Sequence, residues 1–319
     1  MDYRIISDIQ PKFPRKSPPY RVFFTWNITY NCNYRCSYCH APKPDNPNTK
    51  NTRYLKTEEW IDIWTKIFND YGSCRILISG GEPFVYPDFI KLIIELSKIH
   101  FIELCTNLFW EPEPVIRYIN PKYIKIGTSF HPEFANLDDF LRKLKLLKNA
   151  GFDVMVNFVP WPPLLPDMQY YKERIEEEKI QFVLQPFIGT YQGRHYPLGY
   201  TDEEKKFFRI FKDDCNINTL SFKTDNTEKK SNTKGKLCRM GQNYGFIHPD
   251  GSVSRCCRDH SLSLGNIIDK TFKLLEEPLP CQVEECNCWR FMEVGREKTW
   301  LSHWQSPDIE RVYLHDKKV

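Results

Sequence analysis

The sequence predicts an α/β protein, because short apolar runs alternate with longer amphipathic stretches as far as about residue 187, and a cysteine-rich tail of different character closes the chain. At 319 residues there is material for about two domains and a sizeable core. Lys plus Arg exceeds Asp plus Glu by 45 − 41 = 4, too small an excess to predict a nucleic-acid or membrane-surface partner. Twelve cysteines, six of them beyond residue 237, are the unusual feature.

Each element has its own signal. Residues 1–20, with Pro11, Pro14, Pro18 and Pro19, read as an extended arm. A strand is expected over 22–28. Thr57 then stands where a helix cap belongs, with Trp60, Trp64, Ile67 and Tyr71 at helical spacing and Gly72 just past the end. Strand 75–79, helix 87–98, strand 101–106, helix 113–119 and strand 123–128 continue the alternation. Helix 137–150 is bracketed by Asn136 and Gly151, and strand 153–159, helix 167–178 and strand 181–187 complete six strands alternating with helices. Parallel strands joined by right-handed crossovers form either an open doubly wound layer or a partial barrel. In both, chemistry belongs in the segments that follow the carboxyl ends of the strands.

A further helix is expected over 202–214, and 223–236 reads as a solvated linker between a barrel or layer at 21–222 and a tail at 237–319. Within the tail, Pro249-Asp250-Gly251 lies between two apolar runs, as in a hairpin. No stretch reaches the roughly 18 apolar residues that span a bilayer. The amino end lacks the pattern of a secretory signal, so a cytoplasmic, reducing setting is expected, where clustered thiols serve as metal ligands or reactive groups.

Cys32, Cys36 and Cys39 follow the first strand as Cys-x3-Cys-x2-Cys. Soft thiolates select zinc or an iron-sulfur centre. A structural zinc site is closed by four protein ligands, and His40 offers a fourth. A 4Fe-4S cube on three cysteines instead leaves one iron open. Gly80-Gly81-Glu82-Pro83 follows the second strand, where two glycines allow a close backbone approach to a ligand and a carboxylate faces it.

Asn31-Cys32-Asn33-Tyr34-Arg35-Cys36-Ser37-Tyr38-Cys39 together with Ser79-Gly80-Gly81-Glu82-Pro83 resembles the hallmark pair of the radical S-adenosylmethionine (SAM) superfamily. The resemblance implies a partial (β/α)6 TIM-like barrel with a small cysteine-rich C-terminal domain. It implies that Cys32, Cys36 and Cys39 hold a 4Fe-4S cluster whose open iron binds SAM, with Tyr38 near the adenine and Gly80 to Pro83 orienting the methionyl amine. Thr106, Asn107, Ser129, Asn157 and Gln185, at the ends of later strands, are further candidates for SAM contact. His131 is a candidate for proton transfer.

The tail resembles the SPASM and twitch auxiliary-cluster domains of the same superfamily. That implies a second 4Fe-4S cluster on Cys238, Cys256 and two of Cys281, Cys286 and Cys288. Cys257, beside a ligand, is a candidate hydrogen donor or a packed small side chain, and Cys74, Cys105 and Cys215 are expected in the core. The implied activity is reductive cleavage of SAM to a 5′-deoxyadenosyl radical that removes hydrogen from a small-molecule or peptide substrate, in an oxidation, cross-linking or epimerisation. An external one-electron reductant such as flavodoxin or ferredoxin is implied with it. The contrasting reading is a zinc-stabilised or electron-carrying binding protein without SAM chemistry; zinc could equally fold so short a tail.

Overall fold

The computed structural model describes residues 20, 22–41, 52–210, 233–284 and 286. Residues 1–19 of the expected arm, most of the linker, Cys215, Cys288 and the last turn of the helix expected to reach 214 lie outside them. Six parallel strands, β1 (Phe23–Thr29), β2 (Arg75–Gly80), β3 (Phe101–Thr106), β4 (Ile124–Ser129), β5 (Asp153–Phe158) and β6 (Gln181–Leu184), stand side by side in chain order. Between them run α1 (Thr57–Tyr71), α2 (Phe89–Leu96), α3 (Glu113–Tyr118), α4 (Leu137–Asn149) and α5 (Leu165–Glu176). The sheet is a partial TIM-like barrel with helices outside.

Alternation along β1 shows how the two faces differ. Phe24, Trp26 and Ile28 point outward beneath α1, where Trp26 meets Trp60 at 4.7 Å between ring centroids and Phe24 meets Trp64 at 5.6 Å. Asn27 shares the opposite face with Thr25. On that inner face Arg75 pairs with Glu103 and Lys125 pairs with Asp153 at 2.8 Å, and three of these four charged groups are buried. Their hydrogen-bonded pairing is what makes burial of the charges tolerable.

Several boundaries differ from expectation for identifiable reasons. Lys56, not Thr57, caps α1: its N–H is bonded by the Glu59 carboxylate at 2.8 Å, and Thr57 is the first helical residue. Helix α5 begins at Leu165 because Pro166 fits the first turn, and β6 ends at Leu184 because Pro186 has no N–H for the ladder. A short hairpin of β7 (Gly189–Tyr191) and β8 (Arg194–Tyr196) follows, then α6 (Asp202–Ile210).

The tail joins the barrel's own sheet, a feature the sequence does not announce. After β9 (Leu237–Cys238), β10 (Tyr244–Ile247) pairs parallel with β1, while β11 (Ser252–Ser254) and β12 (Ser263–Asn266) add antiparallel strands beyond it. This covers what would otherwise be an open edge of β1. Ile247, Val253 and Leu264 thereby enter the main core. Strand β13 (Leu279–Pro280) turns back to pair with β9.

Candidate functional site

The carboxyl ends of β1 and β2 are stitched together. Gly81 N–H donates to Thr29 O at 2.8 Å, and Glu82 N–H donates to Asn31 O at 2.9 Å. A Cβ on Gly80 would stand 2.1 Å from Thr29 O, and one on Gly81 would stand 2.2 Å from Asn31 O. The two glycines are therefore required by backbone packed against backbone at the root of the cysteine loop.

The loop is moored along its length. Ser37 N–H donates to the Glu133 carboxylate at 2.8 Å, Tyr34 stacks on Phe134 at 5.1 Å, and the Tyr38 hydroxyl lies 3.0 Å from His131 Nδ1. Tyr38 is buried against Trp161 as well. His131 is pushed down to about 4 by burial, so it is uncharged at neutral pH with Nδ1 committed to Tyr38. Cys32 and Cys36 are half-buried, whereas Cys39 and His40 are exposed. Burial, with charge on neighbouring groups adding to it, raises both half-buried thiols, Cys36 to about 12.

Glu82 lies beneath this loop and is buried. Burial pushes its carboxyl up to about 7 against three hydrogen bonds, from Asn107 N–H at 2.6 Å, Phe84 N–H at 3.1 Å and the Thr106 hydroxyl at 2.8 Å. Thr106 and Asn107 thus hold Glu82, and the Asn107 amide also donates to Asn33 at 2.8 Å. Glu82 also raises the Cys32 thiol. Cys32 and Cys36, raised by burial and by neighbouring charge, together with a carboxylate raised by burial, form a donor set that suits a soft, positively charged group.

Around the mouth, the Ser79 hydroxyl donates to Asn27 Oδ1 at 2.8 Å and the Gln185 amide to Asn157 Oδ1 at 3.1 Å; Ser129 stands 4.0 Å from the Cys105 sulfur. Cys74 is in the core as expected, but Cys105 lies on the inner face beside Ser129. Asn27 was missed in the sequence, although its parity with Thr25 on β1 marks it as inward-facing.

In the tail, Cys238 and Cys281 are buried in a small cluster with Met240 and Tyr244, and Cys256 packs against it. Burial raises the Cys238 thiol, and charge on Cys281 and Cys256 would add to this, while Arg255 counters it. Cys257 and Cys286 are half-buried. Among the described residues no three His, Cys, Asp or Glu side chains are gathered as for a single ion, here or on the first loop. Buried Arg255 ties the region together by donating to Met240 O at 2.7 Å, Pro280 O at 2.8 Å, Cys238 O at 3.0 Å and Leu279 O at 2.5 Å. Nothing in the sequence separates this arginine from a surface one.

A thiol triplet rooted in a Gly-Gly-Glu-Pro turn, at the carboxyl edge of a partial barrel, defines a class of iron-sulfur enzyme. Residues 26–163 match the Radical SAM superfamily and residues 238–277 match the SPASM iron-sulfur cluster-binding domain, together more than half of the chain. The chain belongs to the radical SAM superfamily, as a member with a SPASM domain. Membership implies a 4Fe-4S cluster and SAM, and the SPASM domain implies auxiliary iron-sulfur clustering.

Among curated relatives, a probable GTP 3′,8-cyclase of Methanocaldococcus jannaschii is 37% identical over 101 residues, 31% of each chain. The GTP 3′,8-cyclase of Aquifex aeolicus is 30% identical over 147 residues, 42% of this chain and 46% of that one. The chain thus spans less than half the length of either. Among solved structures, native anSMEcpe with bound AdoMet aligns with a TM-score of 0.56 and 18% identity over 78% of each chain. Streptococcus suis SuiB bound to the precursor peptide SuiA gives 0.56 and 15% over 80% of this chain and 65% of that one. These two show likeness of fold.

Proposed function

We propose that this radical SAM enzyme cleaves SAM reductively and uses the 5′-deoxyadenosyl radical to remove hydrogen from a polypeptide substrate. Cys32, Cys36 and Cys39 hold the first 4Fe-4S cluster, which when bound supplies the electron that splits SAM. Glu82, fixed by Thr106 and Asn107, places negative charge beside the cationic cosubstrate, and Tyr38 with His131 stiffens the loop. Cys238, Cys256 and Cys281, with Cys286 or Cys288, hold the auxiliary cluster. A flavodoxin- or ferredoxin-like protein supplies electrons in the cytoplasm. Among the described residues no helix is long and apolar enough to cross a membrane.

The observation that carries the SAM reading is the direct bonding of the Cys-loop root to Gly81 and Glu82. The polypeptide reading rests on the rim of the mouth. Tyr54, Phe109, Phe134, Ile188 and Leu198 are exposed apolar side chains in segments that follow strand carboxyl ends, Leu198 being 78% accessible. Such apolar surface suits side chains of an extended peptide better than a charged nucleotide. Nucleotide chemistry is the second reading, favoured by the curated cyclases.

Anaerobic purification followed by iron, sulfide and zinc analysis tests the cofactors, with about eight irons expected for two cubes. Dithionite and SAM should then release 5′-deoxyadenosine. A degenerate peptide pool should accelerate that release and GTP should not; the reverse result establishes the nucleotide reading, and zinc without iron removes both.

A further inference from the structure

Strand β10 runs parallel to β1, so His248, just past its end, emerges on the same edge of the sheet as the cysteine loop. Ile247 pairs with outward-facing Trp26, which places His248 on the inner side. There His248 Nδ1 lies 3.5 Å from the Tyr30 hydroxyl, and its Nε2 lies 2.8 Å from the Ser254 hydroxyl. The same Ser254 oxygen lies 3.2 Å from His260 Nδ1. The two imidazoles are 5.2 Å apart, both edge-on to Phe246. Tyr30 and Ser254 are buried and His260 is exposed, so an unbroken line of exchangeable groups leads from the barrel mouth to water.

The geometry points to a proton path, Tyr30–His248–Ser254–His260, that carries a proton from the substrate chamber to solvent on the tail side of the barrel. This inference rests on the reading of the mouth as the substrate chamber, and it specifies the reaction as a net oxidation. When substrate has lost a hydrogen atom to form 5′-deoxyadenosine, oxidation of the remaining radical releases one electron and one proton. The auxiliary iron-sulfur centre, when held by Cys238, Cys256 and Cys281, would supply the acceptor for the electron, and the proton goes to the path. Tyr30 accepts it while passing its own to His248 Nδ1. The proton on His248 Nε2 moves to Ser254, that of Ser254 moves to His260 Nδ1, and His260 Nε2–H releases one to water. Every member ends neutral, and rotation of the hydroxyls with tautomer exchange restores the starting polarity. An epimerisation, which returns a hydrogen atom to substrate, has no use for such an exit.

The groups facing His248 are Tyr30, Ser254, His260, Phe246 and Asp250. Burial lowers His248, charge on His260 lowers it further, and Asp250 opposes both. The carboxylate of Asp250 is itself held by the Ser252 N–H and hydroxyl.

Deuterium exchange at histidine C2, read by mass spectrometry across pH on the anaerobically isolated, cluster-containing chain with SAM, tests the path. His260→Gln should raise the titration midpoint of His248. Ser254→Ala should reduce that shift by at least half, and Ser254→Thr, which keeps the hydroxyl, should preserve it. Release of 5′-deoxyadenosine from SAM and dithionite should stay within twofold in all three variants, because the path acts after cleavage. A His248 midpoint indifferent to His260, or SAM cleavage that falls with Ser254→Ala, overturns the inference. Failure of the unaltered chain to cleave SAM instead overturns the functional reading, whatever the histidines do.

Discussion

The two cysteine-bearing regions are built on opposite principles. The first loop hangs from the barrel through side chains that touch it from outside, Glu133, His131 and Phe134 among them, and its Cys32 and Cys36 thiols are raised by burial and by charge on neighbouring groups. The tail is organised by a buried guanidinium: Arg255 bonds four carbonyls, one of them that of Cys238, and counters the rise of the Cys238 thiol. Both regions carry a guanidinium that counters the rise of a neighbouring thiol, but Arg35 on the first loop is exposed and holds only Cys32 O and Tyr34 O, whereas Arg255 is buried and organises the tail backbone. A site that must admit a charged cosubstrate benefits from the first arrangement, and a closed site from the second.

The sharpest way to break this comparison is a matched pair of substitutions. Cys36→Ala should lower 5′-deoxyadenosine release at least about 1,000-fold, by removing a ligand of the cleaving centre, while roughly half of the iron is retained. Cys256→Ala should leave that release within about tenfold and remove the other half of the iron. Equal losses of cleavage in the two variants would show that the regions are not functionally distinct.

Arg255→Met comes next. Removing the guanidinium leaves four carbonyls without their donor, and a loss of about 4 kcal/mol is expected from charged hydrogen bonds of this kind, read as a lower urea midpoint. Iron should be lost from the tail before it is lost from the first loop.

Glu82→Gln sharpens the electrostatic side. In the folded chain the Glu82 carboxyl is raised to about 7 from an ordinary 4.5, so its stabilising contribution is full below pH 4.5 and is lost as pH rises to 7, by about 3 kcal/mol in all. His131, lowered to about 4 from 6.5, acts in the opposite sense, since stability falls as pH drops through that window. The two slopes largely cancel between pH 4.5 and 6.5. In the cluster-free Glu82→Gln variant the urea midpoint should therefore rise with pH across that range, and a flat profile would contradict the assignment. The smallest effect is expected for Leu198→Ser at the rim: stability should change by no more than about 0.5 kcal/mol, while stimulation by the peptide pool weakens.

The six-strand alternation was legible because each apolar run is short and each amphipathic stretch carries its own punctuation, such as Gly72 and Gly151 in left-handed geometry after α1 and α4. The cysteine spacing and the Gly-Gly-Glu-Pro segment were legible because they are local. What the sequence did not show about the two glycines is their packing against the Thr29 and Asn31 backbone, which exists only in the folded chain. Thr106 and Asn107 were found as polar groups at a strand end, but their bonding to Glu82 joins residues some 25 apart in the chain. Arg255, Tyr30 and His248 carry no local signal at all.

By itself the sequence determined what depends on near neighbours: the order of elements, the three thiols on one loop, and the glycine-rich turn. Only the tertiary structure decided that the tail extends the barrel sheet through β10, and therefore that His248 stands beside Tyr30, 218 positions away. The reason is that a strand's hydrogen-bonding edge is the same for any partner. Which segment pairs with β1 is settled by the burial of Ile247 and Val253 in a core that already includes Phe24 and Trp26, and that choice exists only once the barrel has formed.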